Sequence, residues 1–91
     1  MKISIVIPVY NELGALPRVL ERVRAARLPA GCSREIVVID DGSTDGTSRL
    51  VDERMRDGLI LGRHARVNSG KGAAIRAGIA LASGEIVVSA T

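Results

Sequence analysis

Aromatic side chains are nearly missing from this chain: its 91 residues include one tyrosine, Tyr10, and neither tryptophan nor phenylalanine. Proteins that grip single-stranded nucleic acid stack bases on several such rings, so the composition argues against that class. A core without rings has to be built from Val, Ile, Leu and Ala. Cysteine occurs once, as Cys32, which excludes an internal disulfide and fits a reducing compartment with an inert thiol. No apolar run approaches the length of about 20 residues that a membrane-crossing helix needs. The apolar start at residues 3–9 meets Asn11 and Glu12 too early to serve as a signal peptide's core. A predominance of one charge sign is also lacking. Thirteen Lys and Arg are interspersed with ten Asp and Glu, for a net charge of +3, and no basic stripe for nucleic acid results.

What is present is a globular balance, with 46% hydrophobic and 25% charged residues. A chain this short makes one small domain that buries about 60 to 65% of its unfolded surface, so its stability margin is thin. Residues 3–7 are largely β-branched and predict a strand ending at Pro8, which cannot donate to a ladder. Leu16, Val19, Leu20 and Val23 recur at helical spacing with Arg18, Glu21, Arg22 and Arg24 between them, the pattern of an amphipathic helix with a solvated charged face. After the break at Pro29 and Gly31, residues 35–39 predict a second strand, apolar at every position after Glu35 as in a parallel strand buried on both faces. A second helix is expected to begin between Ser43 and Asp45 and to stop at Gly58. Residues 59–61 predict a short third strand and residues 73–82 a third helix, in which Gly78 allows close approach to a sheet. Gly84 ends that helix and residues 85–88 open a fourth strand.

Alternating strands and helices imply parallel strands joined by right-handed crossovers, hence a Rossmann-like three-layer α/β/α sandwich with a mainly parallel sheet. Two open sheet edges are expected, and they suggest a partial domain over residues 1–91. In such sheets ligands bind beyond the carboxyl ends of the strands. Loops carrying Pro8, Tyr10 and Glu12, then Asp40 and Asp41, then residues 68–72, are expected to meet at that rim. Carboxylates repel phosphate but accept well from a ring N–H or a ribose hydroxyl, so the acids should face a nucleoside. Lys71, in a glycine-flanked loop opening a helix, offers phosphates an ammonium and free backbone N–H groups. A divalent ion is the other available neutraliser.

Each feature also has a plainer reading. Residues 41–47, DGSTDGT, suit a turn with a helix cap, and Tyr10 can wall a site as readily as stack on a base. Residues 70–75 complete neither a P-loop, because Ala73 replaces Ser or Thr, nor a dinucleotide fingerprint, because Ile75 replaces the third glycine. His64 has no Cys or His at ligand spacing and reads as a surface loop residue.

Taken together, SIVIPVYNE, IVVIDDGSTDGT and NSGKGAAIRAGIALASGE resemble the amino-terminal half of family 2 glycosyltransferases of the GT-A fold. The likeness is to the branch of dolichyl-phosphate mannosyltransferases and polyprenyl-phosphate sugar transferases. That resemblance implies a glycosyltransferase segment binding a nucleotide-diphospho-sugar for transfer to a polyprenyl phosphate or an acceptor hydroxyl. It assigns donor contacts to Pro8, Tyr10, Glu12 and Asp41, with Asp40 and Lys71 in supporting roles. It also implies Mg²⁺ or Mn²⁺ held by an Asp-x-Asp motif, but Thr91 stands where its first aspartate would fall, so no catalytic residue or metal ligand is assigned and little activity is expected of this segment alone. A cytoplasmic place follows, either free or peripheral to the inner face of the cytoplasmic membrane. The reading kept beside it is a non-catalytic nucleotide-binding module that oligomerises through its open sheet edges. A receiver-like signalling domain is disfavoured, since it needs acids after its first and third strands, where Pro8 and Gly62 stand.

Overall fold

The computed structural model describes residues 1–89. Seven elements alternate: β1 (Lys2–Val9), α1 (Leu16–Ala25), β2 (Ser33–Asp40), α2 (Thr47–Arg56), β3 (Leu61–His64), α3 (Lys71–Leu81) and β4 (Glu85–Val88). Every strand pair is parallel and the order across the sheet is β3-β2-β1-β4.

The unbroken apolar runs of β1 and β2 serve two faces, because successive side chains of a strand point to opposite sides. Ile5, Ile7 and Val9 of β1 join Ile36 and Val38 of β2 in a core with Leu16 and Leu20 of α1 and Val51 of α2. Val6, Val37 and Ile39 point the other way, onto Ala74 of α3. The register Ile5↔Ile36 and Val6↔Val37 keeps the two sets in step. The result is the expected sandwich, with α1 and α2 on one face and α3 on the other. Burying a Val, Leu or Ile contributes about 1.5 to 3 kcal/mol, so the first and larger core supplies most of the apolar stabilisation. Gly78 does what its position suggested: a Cβ there would stand 2.3 Å from Cγ1 of Val6, so only glycine lets α3 lie this close to the sheet.

Several boundaries differ from expectation, among them β2, which spans Ser33–Asp40, and β3, which runs on to His64. β1 continues through Pro8 to Val9, with Pro8 paired to Ile39. The Val6 carbonyl accepts from Ser89 on the β4 side and that of Val9 from Asp41 on the β2 side. By alternation the Pro8 nitrogen faces the β4 side, beyond the β1–β4 pairs that end at Val6, so its missing N–H costs no bond to β2. α2 begins at Thr47 because the side chains expected to cap it are engaged with the first loop, as described below. α3 begins at Lys71, two residues earlier than expected. β3 begins at Leu61, where pairing with Val37 starts, because the Leu59 amide is held in the turn after α2 by the Arg54 carbonyl.

Candidate functional site

The hydroxyl-rich segment after β2 ties the first two loops together. Ser43 Oγ accepts from the Asn11 amide at 2.9 Å, Thr47 Oγ1 from the Glu12 amide at 3.0 Å and Asp45 Oδ2 from the Leu13 amide at 3.2 Å. In return Asn11 Oδ1 accepts from the Thr44 amide at 2.7 Å. Asp45 Oδ1 also accepts from the Thr47 amide and hydroxyl, bonds that hold its carboxyl below the ordinary 3.8 against a smaller opposing effect of burial. The capping reading of this stretch is therefore correct in part. Its main consequence is to fix the backbone that carries Tyr10 and Glu12.

The adjacent acids are divided by the same alternation that divides the core. Asp40 shares its side of the sheet with Ile36 and Val38, toward α2. It is 1% exposed, and its carboxylate accepts from the Ser43 amide, the Ser48 hydroxyl and Nδ1 of His64. Burial pushes this carboxyl up, but the bonds from Ser43, Ser48 and His64 outweigh it and leave it below 3.8. Asp41 turns to the α3 side, where Oδ1 accepts from the Ser69 amide and Oδ2 from the Gly70 amide, each at 2.9 Å. Like charges thus sit side by side at little cost, because each has its own set of donors.

His64 is not the simple loop residue expected. It ends β3, with Nδ1 at 2.8 Å from Asp40 and Nε2 at 2.7 Å from Asp52 of α2. Two ionised carboxylates can only accept, so both contacts require an imidazolium. Burial pulls the His64 pKa down, and the two aspartates more than reverse it, raising it above the ordinary 6.5. Sequence spacing could not show this, because Asp40, Asp52 and His64 come from three different elements.

At the carboxyl rim a cavity of about 380 Å³ is lined by Pro8, Val9, Tyr10, Glu12, Asp41, Asn68, Gly70, Lys71 and Ala74. Five of the six expected donor-site residues, Pro8, Tyr10, Glu12, Asp41 and Lys71, therefore share one concavity. Its volume is within the range of small-ligand sites. Asp40 is the exception: it lies beneath the loop and does not line the cavity. Asn68 joins the lining although it was not singled out as a site residue, and its place in the loop opening α3 was the available signal.

Among the described residues no group of three or more His, Cys, Asp or Glu is placed to hold a metal ion. The cavity is lined by two acids, Glu12 and Asp41, short of such a group. The Asp-x-Asp position at Thr91 lies outside the described residues. Also among them, no helix is long and apolar enough to cross a membrane.

Residues 4–90 match the profile of Glycosyl transferase family 2. The chain belongs to this family. It is 40% identical over 88 residues to the undecaprenyl-phosphate 4-deoxy-4-formamido-L-arabinose transferase of Aeromonas hydrophila, a match spanning 94% of this chain and 27% of that protein. The transferase of the same description from Pseudomonas aeruginosa is 44% identical over 92 residues, spanning 94% and 26%. The chain thus spans about a quarter of the length of these curated relatives. Among solved structures, S. aureus TarS 1-349 in complex with UDP-GlcNAc superposes with a TM-score of 0.83 at 27% identity, over 99% of this chain and 26% of that one. The mannosyltransferase PcManGT from Pyrobaculum calidifontis, in complex with GDP-Man and Mn²⁺, gives 0.82 at 27% identity, over 97% and 26%. The GT-A type of α/β/α fold expected for a family 2 segment is therefore the fold of this chain.

Proposed function

We propose that this family 2 segment binds the nucleotide end of a nucleotide-diphospho-sugar, and that the protein to which it corresponds transfers the sugar to a polyprenyl phosphate or an acceptor hydroxyl. The observation that carries this reading is the gathering of Pro8, Tyr10, Glu12, Asp41 and Lys71 around one cavity at the carboxyl ends of parallel strands. Relatives named for undecaprenyl phosphate and a neighbour holding UDP-GlcNAc support it.

In this reading Tyr10, 45% exposed, walls the nucleoside, while Glu12 and Asp41 accept from a ring N–H and ribose hydroxyls. Pro8 floors the cavity, Lys71 meets the diphosphate, and Asp40 supports the loop from below. The whole protein would work at the cytoplasmic face of the membrane that carries its lipid acceptor. It would draw on Mg²⁺ or Mn²⁺ through ligands other than those described, so this segment alone binds donor and transfers little sugar. Calorimetric titration with UDP- and GDP-sugars, with and without Mn²⁺, tests the proposal: saturable binding of at least one is expected, and no heat from any of them refutes it.

A second reading is favoured by one observation. Ile86, Val87 and Val88 of the edge strand β4 are 38%, 50% and 45% exposed, an apolar edge of the kind that pairs with another chain. A binding module that oligomerises would scatter light as a stable dimer or larger, whereas a monomer at micromolar concentration removes this alternative.

A further inference from the structure

Lys71 needs a fixed place if it is to meet a phosphate, and the segment before it, residues 65–70, is a loop. Val67 on that loop is 68% exposed, so its own packing holds it weakly. The Ser69 hydroxyl bonds the Val67 carbonyl at 3.3 Å, but this contact is internal to the segment and anchors nothing. The Ala65 amide donates to the Asp40 carbonyl at 2.8 Å where the loop leaves β3, and two adjacent residues after β2 supply the rest of the anchorage. Asp41 accepts the Ser69 and Gly70 amides, one on each carboxylate oxygen. Gly42, with φ +81°, receives the backbone of Val67 and Asn68: a Cβ there would stand 2.7 Å from the Asn68 nitrogen and 2.8 Å from the Val67 carbonyl carbon. The segment is therefore held at its start by the Ala65 amide, in its middle by contact with Gly42 and at its end by charge-assisted bonds to Asp41, and Lys71 follows at once as the first residue of α3.

We propose that Asp41 and Gly42 are positioning residues for Lys71, and that through them the nucleoside and diphosphate halves of the site act as one unit. The proposal rests on the nucleotide reading above and deepens it. A carboxylate offers about four acceptor positions, and two amides leave room for one donor from a base or ribose. Asp41 can thus hold the third loop and a nucleoside together, and loss of the hold moves the cation two residues away. Gly42 serves the same end sterically without lining the cavity.

Amide hydrogen exchange on the ligand-free chain tests the anchorage by itself. The Ser69 and Gly70 amides should be protected, and in Asp41→Asn, which keeps one oxygen, at least one of them should exchange about tenfold faster or more. Fast exchange of both in the unsubstituted chain overturns the proposal without touching the nucleotide reading. Gly42→Ala tests the coupling: the Kd for UDP should rise about three- to fivefold, no more than loss of the Lys71 cation costs, while that for uridine changes less than about twofold, because only the cation is displaced. Unchanged UDP affinity, or equal weakening of both ligands, overturns the proposal. If Gly42→Ala does not fold, Asp41→Asn combined with Lys71→Met replaces it, and losses of UDP affinity that simply add contradict the coupling. Failure of the unsubstituted chain to bind either ligand refutes the nucleotide reading and the coupling with it, while the exchange result still judges the anchorage.

Discussion

The two rims of the sheet use the same device for different ends. At the amino rim, Glu35 of β2 accepts from the buried Ser4 hydroxyl and from the Ser83 amide and hydroxyl, each at 2.9 Å. Lys2 lies 3.7 Å from the same carboxylate and donates to Ser83, and the Gly84 amide bonds back to Ser4. At the carboxyl rim, Asp41 accepts the two amides just before α3. Carboxylates at opposite ends of β2 therefore hold the two ends of α3. The Ser83 amide depresses the Glu35 pKa most, burial opposes it, and Ser4 and Lys2 add to the lowering. Lys2 and Glu35 also border a hollow of about 460 Å³ beside Arg24, Arg34 and the turn after α2. There the Glu35 oxygens are taken up by Ser4, Ser83 and Lys2, whereas Asp41 keeps acceptor capacity toward the cavity it borders. The contrast separates a carboxylate that fastens the fold from one that fastens the fold and, in the proposed reading, also meets a ligand.

Substitutions can break or sharpen this contrast. The largest effect is expected from Asp41→Ala. Hydrogen bonds to a charged group are worth about 1.5 to 3 kcal/mol, so nucleotide-sugar affinity should fall about 10- to 150-fold in a calorimetric titration. Glu35→Ala should do the reverse. Nucleotide affinity stays put, while the stranded Ser4 and Ser83 donors cost about 1 to 3 kcal/mol, read as a drop in Tm of about 4 to 8 °C per kcal/mol. A loss of affinity in Glu35→Ala would erase the distinction between the rims. Lys71→Met should weaken UDP by about fivefold, leave uridine unaffected, and flatten the salt dependence of UDP binding, since an exposed cation acts through screened charge.

The smallest effect concerns His64, whose raised pKa means that its bridge stabilises fully below about 6.5 and is lost as pH rises through the higher folded value. The lowered pKa of Asp40 acts at the other end, its contribution being present above 3.8 and lost as pH falls through the folded value. Because His64 is about one-third exposed, the change is a few tenths of a kcal/mol to about 1 kcal/mol. Urea unfolding across roughly pH 5.5 to 8.5 should show stability falling with pH in the unsubstituted chain and not in His64→Asn.

The architecture was legible because periodicity carries it: continuous β-branched runs for β1 and β2, and Leu16, Val19, Leu20 and Val23 at helical spacing for α1. The rim was legible for a related reason, since strand ends in a parallel sheet dictate where Tyr10, Asp41 and Lys71 must lie. What escaped depends on partners distant in sequence. Pro8 stays in its strand because of which side its nitrogen faces. α2 starts late because Ser43 and Asp45 serve amides of residues 11 and 13. Ser4, Glu35 and Ser83 give no local sign that they meet, and neither do Asp40, Asp52 and His64. The two functions of the acid doublet became visible only once strand alternation sent Asp40 toward α2 and Asp41 toward α3.

The central claim is that the nucleotide site lies at the carboxyl rim and not at the amino rim. Titration of the ¹⁵N-labelled chain with UDP, followed by amide chemical shifts, tests it most directly. The account predicts saturable shifts at Tyr10, Glu12, Asp41, Gly70 and Lys71, with Glu35, Ser83 and Gly84 unmoved. Shifts centred on those last three residues, or none at the first five, would contradict it.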